Sequence, residues 1–326
     1  MSSRSRNMDV YNIIKPLIYI SRIFGLAPFK FVEEKSAKKF QYCKYWFTYS
    51  FFWIILIATC IPNMLTMQLN IEVNQFYFFS ALTTSIIFLF TVLILQIINL
   101  INGKRVIKIY KQIYEYDNIL NTCPRKSYIF TILHIQIASI VTVNTSFIPS
   151  ILFYGTSISG IYIPYTPRFS FIPRVMIWIL DAQFIYVIIL LYQRLINFNK
   201  ILQHYTFNCH SLGSSATSTM LHCTFGFSQF LRFHKTLCDI LEYVNRTYSF
   251  QILLSLSETM IHIIWFMYSF VIVIFLPESE SSLAKFSKTI PIVPIFILVF
   301  VFRLVTIVSI SAVTANEVSN CTKCYS

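Results

Sequence analysis

The chain has 326 residues, of which 56% are hydrophobic and 12% charged, and its mean hydropathy is +0.64. A soluble core cannot bury that much apolar surface, which excludes a water-soluble globular protein. The net charge of +13 implies no nucleic-acid partner, because basic residues also collect on the cytoplasmic face of membrane proteins, next to anionic lipid. We therefore expect an all-α, polytopic membrane helical bundle, with the lipid bilayer as its partner.

The first predicted element lies in the N-terminal segment, residues 1–44. Its best apolar stretch, PLIYISRIFGLAPF at 16–29, is interrupted by Arg22 and Gly25, which argues against a cleaved signal peptide. The pattern favours a short amphipathic helix at the membrane surface, with an anchoring role rather than a binding role.

Farther along the chain, six stretches are long and apolar enough to cross a membrane, which takes roughly 20 residues for about 30 Å of hydrocarbon. Their helical length argues against a membrane β-barrel. The spans are predicted at about 45–66, 76–101, 128–152, 172–193, 248–276 and 290–313.

Lys and Arg residues near the spans set the orientation, since basic loops are retained in the cytoplasm. With the N-terminus inside, the inner segments 1–44, 102–127 and 194–247 carry nine, six and five of them, whereas the outer loops together carry four. We predict a multi-pass protein of the plasma membrane with a cytoplasmic N-terminus. The sequon that begins at Asn245 would then face inward and stay unglycosylated.

The longest polar interval, 194–247, lies between the fourth and fifth spans. LINFNKILQHY and FSQFLRFHKTLCDILEYVN place apolar residues at three- and four-residue spacing, which predicts helices that continue both spans into the cytoplasm. The predicted division of the chain is a segment 1–44 with an interfacial helix, spans 1–4 in 45–193, an anchor-like helical extension 194–247, spans 5–6 in 248–313 and a tail 314–326.

No metal site, cofactor or catalytic residue is predicted. The histidines of the inner interval lack ligand spacing, and CTKC at 321–324 has no second cysteine pair for zinc. No serine or cysteine has a base and an orienting group placed by spacing. The sequence therefore does not predict an enzyme.

Away from the span ends, charged residues lie inside predicted spans at Asp181, Glu258 and Arg303. A charge near the centre of a span costs about 2.5–3.5 kcal/mol, so such residues are functional candidates. We place Arg303 near mid-depth, Asp181 somewhat outward and Glu258 toward the inner half, with His262 on the face of Glu258. Glu258, His262 and Arg303 are predicted to be structural or gating residues. An ion pair of Arg303 with Asp181 or Glu258 is the alternative to a functional role.

Aromatic residues with a few polar groups predict a ligand pocket in the outer half of the bundle, where the fifth span rises and the fourth descends. Such a lining suits a small organic molecule. Trp and Tyr also lie at membrane interfaces as anchors, and that alternative stays open for each residue. The predicted ligand-binding residues are Trp178, Asp181, Tyr186, Trp265 and Tyr268.

The segment PLIYISRIFGLAPFKF, the basic inner interval and LCDILEYVNRTYSFQILLSLSETMIHIIWFMYSF together resemble insect gustatory receptors. The resemblance implies seven spans, a cytoplasmic N-terminus and a ligand-gated cation channel that binds a small-molecule tastant. It also implies a homo- or hetero-tetramer with other gustatory receptors, joined through the inner extensions. VNRTYSFQILL is similar to that family's Asn, aromatic, small, Gln, Leu-Leu pattern, here at Asn245, Tyr248, Ser249, Gln251, Leu253 and Leu254.

The resemblance is incomplete at the C-terminal end, since the family's last span, with its Thr-Tyr…Gln-Phe signature, has no counterpart before Ser326. We expect a chain truncated before a seventh span, which as written would lack a pore. The main alternative is an insect odorant receptor, which shares the inverted topology. A secondary transporter would favour internal repeats, and a G-protein-coupled receptor the opposite orientation.

Overall fold

The computed structural model describes residues 10–34, 37–69, 75–120, 166–211, 218–275 and 292–323. Its helices are α1 (Val10–Ile23), α2 (Lys44–Leu69), α3 (Gln75–Leu120), α4 (Thr166–Ser211), α5 (Ser218–Phe275) and α6 (Ile292–Lys323). A hairpin of two strands, β1 (Phe29–Glu34) and β2 (Ala37–Tyr42), lies between α1 and α2.

The all-α prediction is confirmed, and the hairpin is an addition that the sequence analysis did not predict. Predicted spans one, two, four, five and six lie on α2 to α6, whereas the third, at 128–152, lies outside the described residues. Within the described part of the chain, three helices are long and apolar enough to cross a membrane, in the segments Thr83–Asn118, Ile172–Gln203 and Ile297–Ser319.

Helix α4 lies at the centre of the bundle. In the apolar segments of these three helices, the buried share is 94% for α4, against 39% for α3 and 22% for α6. A helix that is apolar on every side is stable only when other elements surround it. The run from Asp181 to Leu191 is accordingly buried without interruption.

The directions of the helices follow from side-chain contacts at different heights. Helices α3, α4 and α6 run parallel to one another, and α5 runs antiparallel to them, as the alternation of the predicted spans requires. The contacts are Gln96–Met176 and Asp117–Arg194 between α3 and α4, Asp181–Arg303 and Asn199–Glu317 between α4 and α6, and Phe88–His262 and Asn102–Thr247 between α3 and α5.

Helix α1 has one face packed on the bundle. Ile14, Leu17 and Ile18 are buried, and the Gln183 amide of α4 donates a hydrogen bond of 2.8 Å to the Ser21 hydroxyl. Tyr19 on the opposite face is 49% exposed. The predicted amphipathic segment is therefore a helix whose apolar side contacts protein.

The hairpin covers one end of the bundle. Phe29 and Phe40 face each other with ring centroids 5.5 Å apart, and Phe40 also packs against Tyr110 of α3 at 5.6 Å. These aromatic side chains are buried and join the strands to the main core. Their non-local contacts explain why this element was not visible in the sequence.

Gly25 ends α1 in a left-handed conformation, with φ of 67°. The Gly25 N–H donates to the Arg22 carbonyl at 2.9 Å and the Leu26 N–H to the Ser21 carbonyl at 2.7 Å, which together form a Schellman cap. The chain then turns toward Trp53 of α2, where a Cβ on residue 25 would lie 2.6 Å from Trp53 Cδ1.

We predict that Gly25→Ala lowers the stability of the purified protein by roughly 1–3 kcal/mol, since both the positive φ and the contact with Trp53 oppose a methyl group. Thermal unfolding in detergent measures the change. Ile23→Ala is the control, because this neighbouring side chain is 61% exposed and its truncation should matter little. Equal melting temperatures for the two variants would contradict the account of the turn.

Candidate functional site

A buried charged cluster joins the three helices α4, α5 and α6. The Arg303 guanidinium donates from Nε to Asp181 Oδ2 at 2.6 Å and from Nη1 to Glu258 Oε2 at 3.2 Å. All three residues are buried. One cation on α6 thus holds one carboxylate from α4 and another from α5.

Polar side chains of α5 complete the cluster. The Ser255 hydroxyl donates to Asp181 Oδ1 at 2.7 Å and accepts a hydrogen bond from Arg303 Nη2. His262 Nδ1 lies 2.9 Å from Glu258 Oε1, and its ring stacks on Phe300 at a centroid distance of 5.5 Å. Each carboxylate therefore has at least two side-chain partners, as the interior of a membrane requires.

Helix α5 brings these groups together because its inward face carries polar residues at alternating spacings of three and four. That spacing keeps side chains on one face of a helix. The inward stripe, all of it buried, consists of Tyr248, Gln251, Ser255, Glu258 and His262.

The opposite face of α5 is apolar and follows the same spacing. A polar face turned inward and an apolar face turned outward is the arrangement that a helix in lipid requires. The exposed apolar residues are Phe250, Leu253, Met260, Ile264, Met267 and Val271, each between 47% and 63% exposed.

A second arginine, Arg174, lies near the cluster on α4. Its guanidinium carbon is 5.6 Å from the Phe88 ring centroid of α3 and 5.9 Å from that of Phe300 on α6. Arg174 Nε is buried without a hydrogen-bond partner.

The structure brings together four predicted site residues: Asp181, Glu258, His262 and Arg303. The sequence analysis placed Asp181 outward and Glu258 inward, yet both contact one guanidinium and so lie at one depth. The sequence analysis offered an ion pair of Arg303 with Asp181 or with Glu258, and the structure contains both pairs.

The aromatic residues of the predicted pocket are spread over the bundle. Trp178 is half-buried beside the apolar cluster around Phe88, whereas Tyr186 is fully buried in the larger core that contains Tyr110. Trp265 and Tyr268 are half-buried on α5, beyond His262 in the chain. Their role in ligand binding stays a prediction.

The family motif at the start of the fifth span divides between two faces of α5. Tyr248 and Gln251 are each 1% exposed and belong to the inward stripe, whereas Asn245 and Ser249 are exposed. The Tyr248 ring packs on Phe184 of α4 at 5.7 Å. The buried part of the motif thus continues directly into the charged cluster.

Two residues of the site were not singled out in the sequence. Ser255 carries no charge, although its place three residues before Glu258 puts it on the same helix face. Arg174 was counted with the outer loops because it precedes most of the apolar run. The aromatic contacts that enclose it come from α3 and α6 and leave no local signal.

Two further polar contacts tie α4 to α3 and to α6 at the other end of the bundle. Arg194 Nε of α4 donates to Asp117 Oδ1 of α3 at 2.9 Å, and both side chains are largely buried. Asn199 of α4 donates to Glu317 Oε2 of α6 at 3.1 Å. Helix α4 is therefore fastened to its neighbours at two heights.

Fold and site together define a multi-pass membrane protein with a charged cluster inside its helical bundle. The sequence profile of the 7tm chemosensory receptor family matches residues 14–324. The chain belongs to this family, in agreement with its resemblance to insect gustatory receptors. Membership of this family supports a chemoreceptor role, with small molecules as ligands. No curated protein matches the chain.

We expect Arg303→Met to destabilise the protein by about 3–5 kcal/mol, because it leaves two buried carboxylates without their cation. Combining it with Asp181→Asn and Glu258→Gln should recover part of the loss, since the two carboxylates that lost their cation are then uncharged. Thermal unfolding of the purified variants measures both effects.

The matched control for this series is Arg246→Met. Arg246 Nη2 lies 2.6 Å from Glu242 Oε1 on the same helix, α5. Both of these side chains are more than half exposed. Exposed pairs contribute little, so only a small loss is expected. If Arg246→Met destabilised the protein as much as Arg303→Met does, burial of the ion pair would not explain the effect of Arg303→Met.

Proposed function

We propose that the chain is a gustatory receptor, a subunit of a ligand-gated cation channel that binds a small-molecule tastant. The observation that carries the proposal is the inward stripe of α5. The residues that resemble the gustatory motif, Tyr248 and Gln251, begin this stripe, and the charged cluster at Ser255 and Glu258 continues it. Membership of the chemosensory family supports the same reading.

The proposed mechanism is mechanical. Helix α5 is one continuous helix of 58 residues, so a displacement at one end reaches the other. A ligand that contacts Trp265 and Tyr268 would favour one position of this helix. Arg303 joins α5 to α4 and α6, and the three helices would therefore move as a coupled set.

The proposal places the protein in the plasma membrane with a cytoplasmic N-terminus. It would assemble as a homo- or hetero-tetramer with other gustatory receptors through the helical extensions of 194–247. The basic character of the predicted inner segments supports this orientation. The Thr247 carbonyl accepts a hydrogen bond of 2.9 Å from Asn102, which holds α5 against α3 at the point where the extension meets the predicted fifth span.

Expression in cultured cells tests the proposal. The chain is expressed alone, with a second gustatory receptor subunit, and with an insect odorant co-receptor, and calcium entry is recorded during application of sucrose, caffeine, quinine and volatile esters. Tastant responses that need the chain support a taste channel. Responses to volatile esters that need the odorant co-receptor would contradict it and favour an odorant receptor.

Trp265→Ala should raise the tastant concentration for half-maximal response by about tenfold or more, because an aromatic contact surface is removed from the predicted pocket. Met267→Ala is the control, since this neighbouring side chain is 48% exposed on the outward face of α5. Surface biotinylation checks that both variants reach the membrane. Unchanged dose-response curves for Trp265→Ala would contradict a ligand-binding pocket on α5.

The orientation predicts that Asn245 carries no glycan, although its side chain is exposed and Thr247 completes the sequon. Treatment of the expressed protein with a glycosidase should cause no mass change that depends on Asn245. A mass shift that Asn245→Gln abolishes would place this end of α5 outside the cell and reverse the topology.

A further inference from the structure

Arg174 packs against aromatic rings of two neighbouring helices. Its guanidinium carbon lies 5.6 Å from the ring centroid of Phe88 on α3 and 5.9 Å from that of Phe300 on α6, and His262 packs against both rings. Aromatic faces attract a cation and shield it from water. The side chain is only half-buried, so part of it faces accessible space.

The charges of the neighbouring cluster are already engaged. Arg303 binds both Asp181 and Glu258, and Glu258 has His262 as a second partner. Among the residues that the structure describes, Arg174 makes no salt bridge, and its Nε is buried without an acceptor. A buried donor without an acceptor is unfavourable, and a charged one more so.

We propose that Arg174 anchors a ligand subsite for an organic carboxylate with a flat apolar body. The inference rests on the proposed function and names the chemical class of the ligand. A guanidinium presents parallel N–H donors that match the two oxygens of a carboxylate. The rings of Phe88, Phe300 and His262 would contact the apolar body beside it.

The unpaired Nε donor of Arg174 favours a ligand with a strong hydrogen-bond acceptor. An organic cation would meet two guanidinium groups while both nearby carboxylates are occupied by Arg303. A neutral ligand would offer this donor a weaker acceptor than a carboxylate does. Chloride carries the same charge as a carboxylate but has no apolar body to contact the aromatic rings. It is therefore a competing ligand, and an experiment can distinguish its binding from that of an organic carboxylate.

The position of Arg174 also explains how such a ligand would be sensed. Arg174 precedes Asp181 by about two helical turns on α4, roughly 10 Å along the axis. The rings of Phe88 and Phe300 that pack against Arg174 also pack against His262, and His262 Nδ1 lies 2.9 Å from Glu258 Oε1. The subsite is therefore connected through these rings to the cluster that joins α4, α5 and α6.

The test measures binding to the purified full chain in detergent by thermal shift. Sodium benzoate is the probe, benzamide is its uncharged isostere, and sodium chloride is the competing anion. We expect benzoate to raise the melting temperature more than benzamide or chloride does. Arg174→Gln should weaken benzoate binding at least about tenfold. Arg174→Lys should give an intermediate affinity, because lysine keeps the positive charge but lacks the two parallel N–H donors of a guanidinium.

Arg246→Gln is the matched control, since Arg246 is an exposed arginine on α5 whose loss should leave benzoate binding unchanged. Equal shifts by benzoate and benzamide, or an unchanged benzoate affinity in Arg174→Gln, would overturn the subsite. A shift with chloride that benzoate does not exceed would also overturn it. The comparison of benzoate with benzamide on the unmodified chain decides the question even if Arg174→Gln folds poorly.

The result can be separated from the test of the proposed function. If sucrose, caffeine or quinine evokes calcium entry while benzoate does not bind, the receptor function stands and the carboxylate subsite fails. If benzoate binds through Arg174 while no tastant evokes a response with any co-expressed subunit, the subsite stands and the channel function fails.

Discussion

One guanidinium, that of Arg303, connects the helices on which the rest of the structure depends. Its contacts with Asp181 at 2.6 Å and Glu258 at 3.2 Å join α6 to α4 and α5 inside the apolar bundle. Charges in such a place are tolerated only when each has a partner, so the three helices must keep this mutual register. The packing of the aromatic and aliphatic residues around these three helices depends on that register.

Helix α5 shows how this constraint shapes a whole element. Its inward stripe is polar from Tyr248 to His262, and its outward stripe is apolar from Phe250 to Val271. The motif that resembles the gustatory pattern lies on this helix, which also supplies Ser255, Glu258 and His262 to the cluster and Trp265 and Tyr268 to the predicted pocket. The proposed mechanism, in which α5 passes a displacement from ligand to neighbouring helices, rests on the length of α5 and on its shared contacts with α4 and α6.

The candidate site was predictable in its charged members and not in its geometry. Asp181, Glu258 and Arg303 stand out in the sequence because charges are rare in apolar runs. Their depths were estimated by counting residues from span ends, and the ends of helices that continue past the membrane are poorly marked in the sequence. Asp181 and Glu258 were therefore assigned different depths, although they contact the same guanidinium. Arg174 was not singled out in the sequence, because the rings that pack against it, those of Phe88 and Phe300, belong to other helices.

The sequence alone determined the membrane class, the all-α architecture and the family, since hydropathy, span length and short motifs are local properties of the chain. The alternation of span directions also followed from it. Only the tertiary structure decided that Arg303 serves two carboxylates, that Phe29 and Phe40 form a hairpin against Tyr110, and that Arg174 lies among aromatic rings. Each of these depends on helix rotation and relative height, which are set by contacts between residues far apart in the chain.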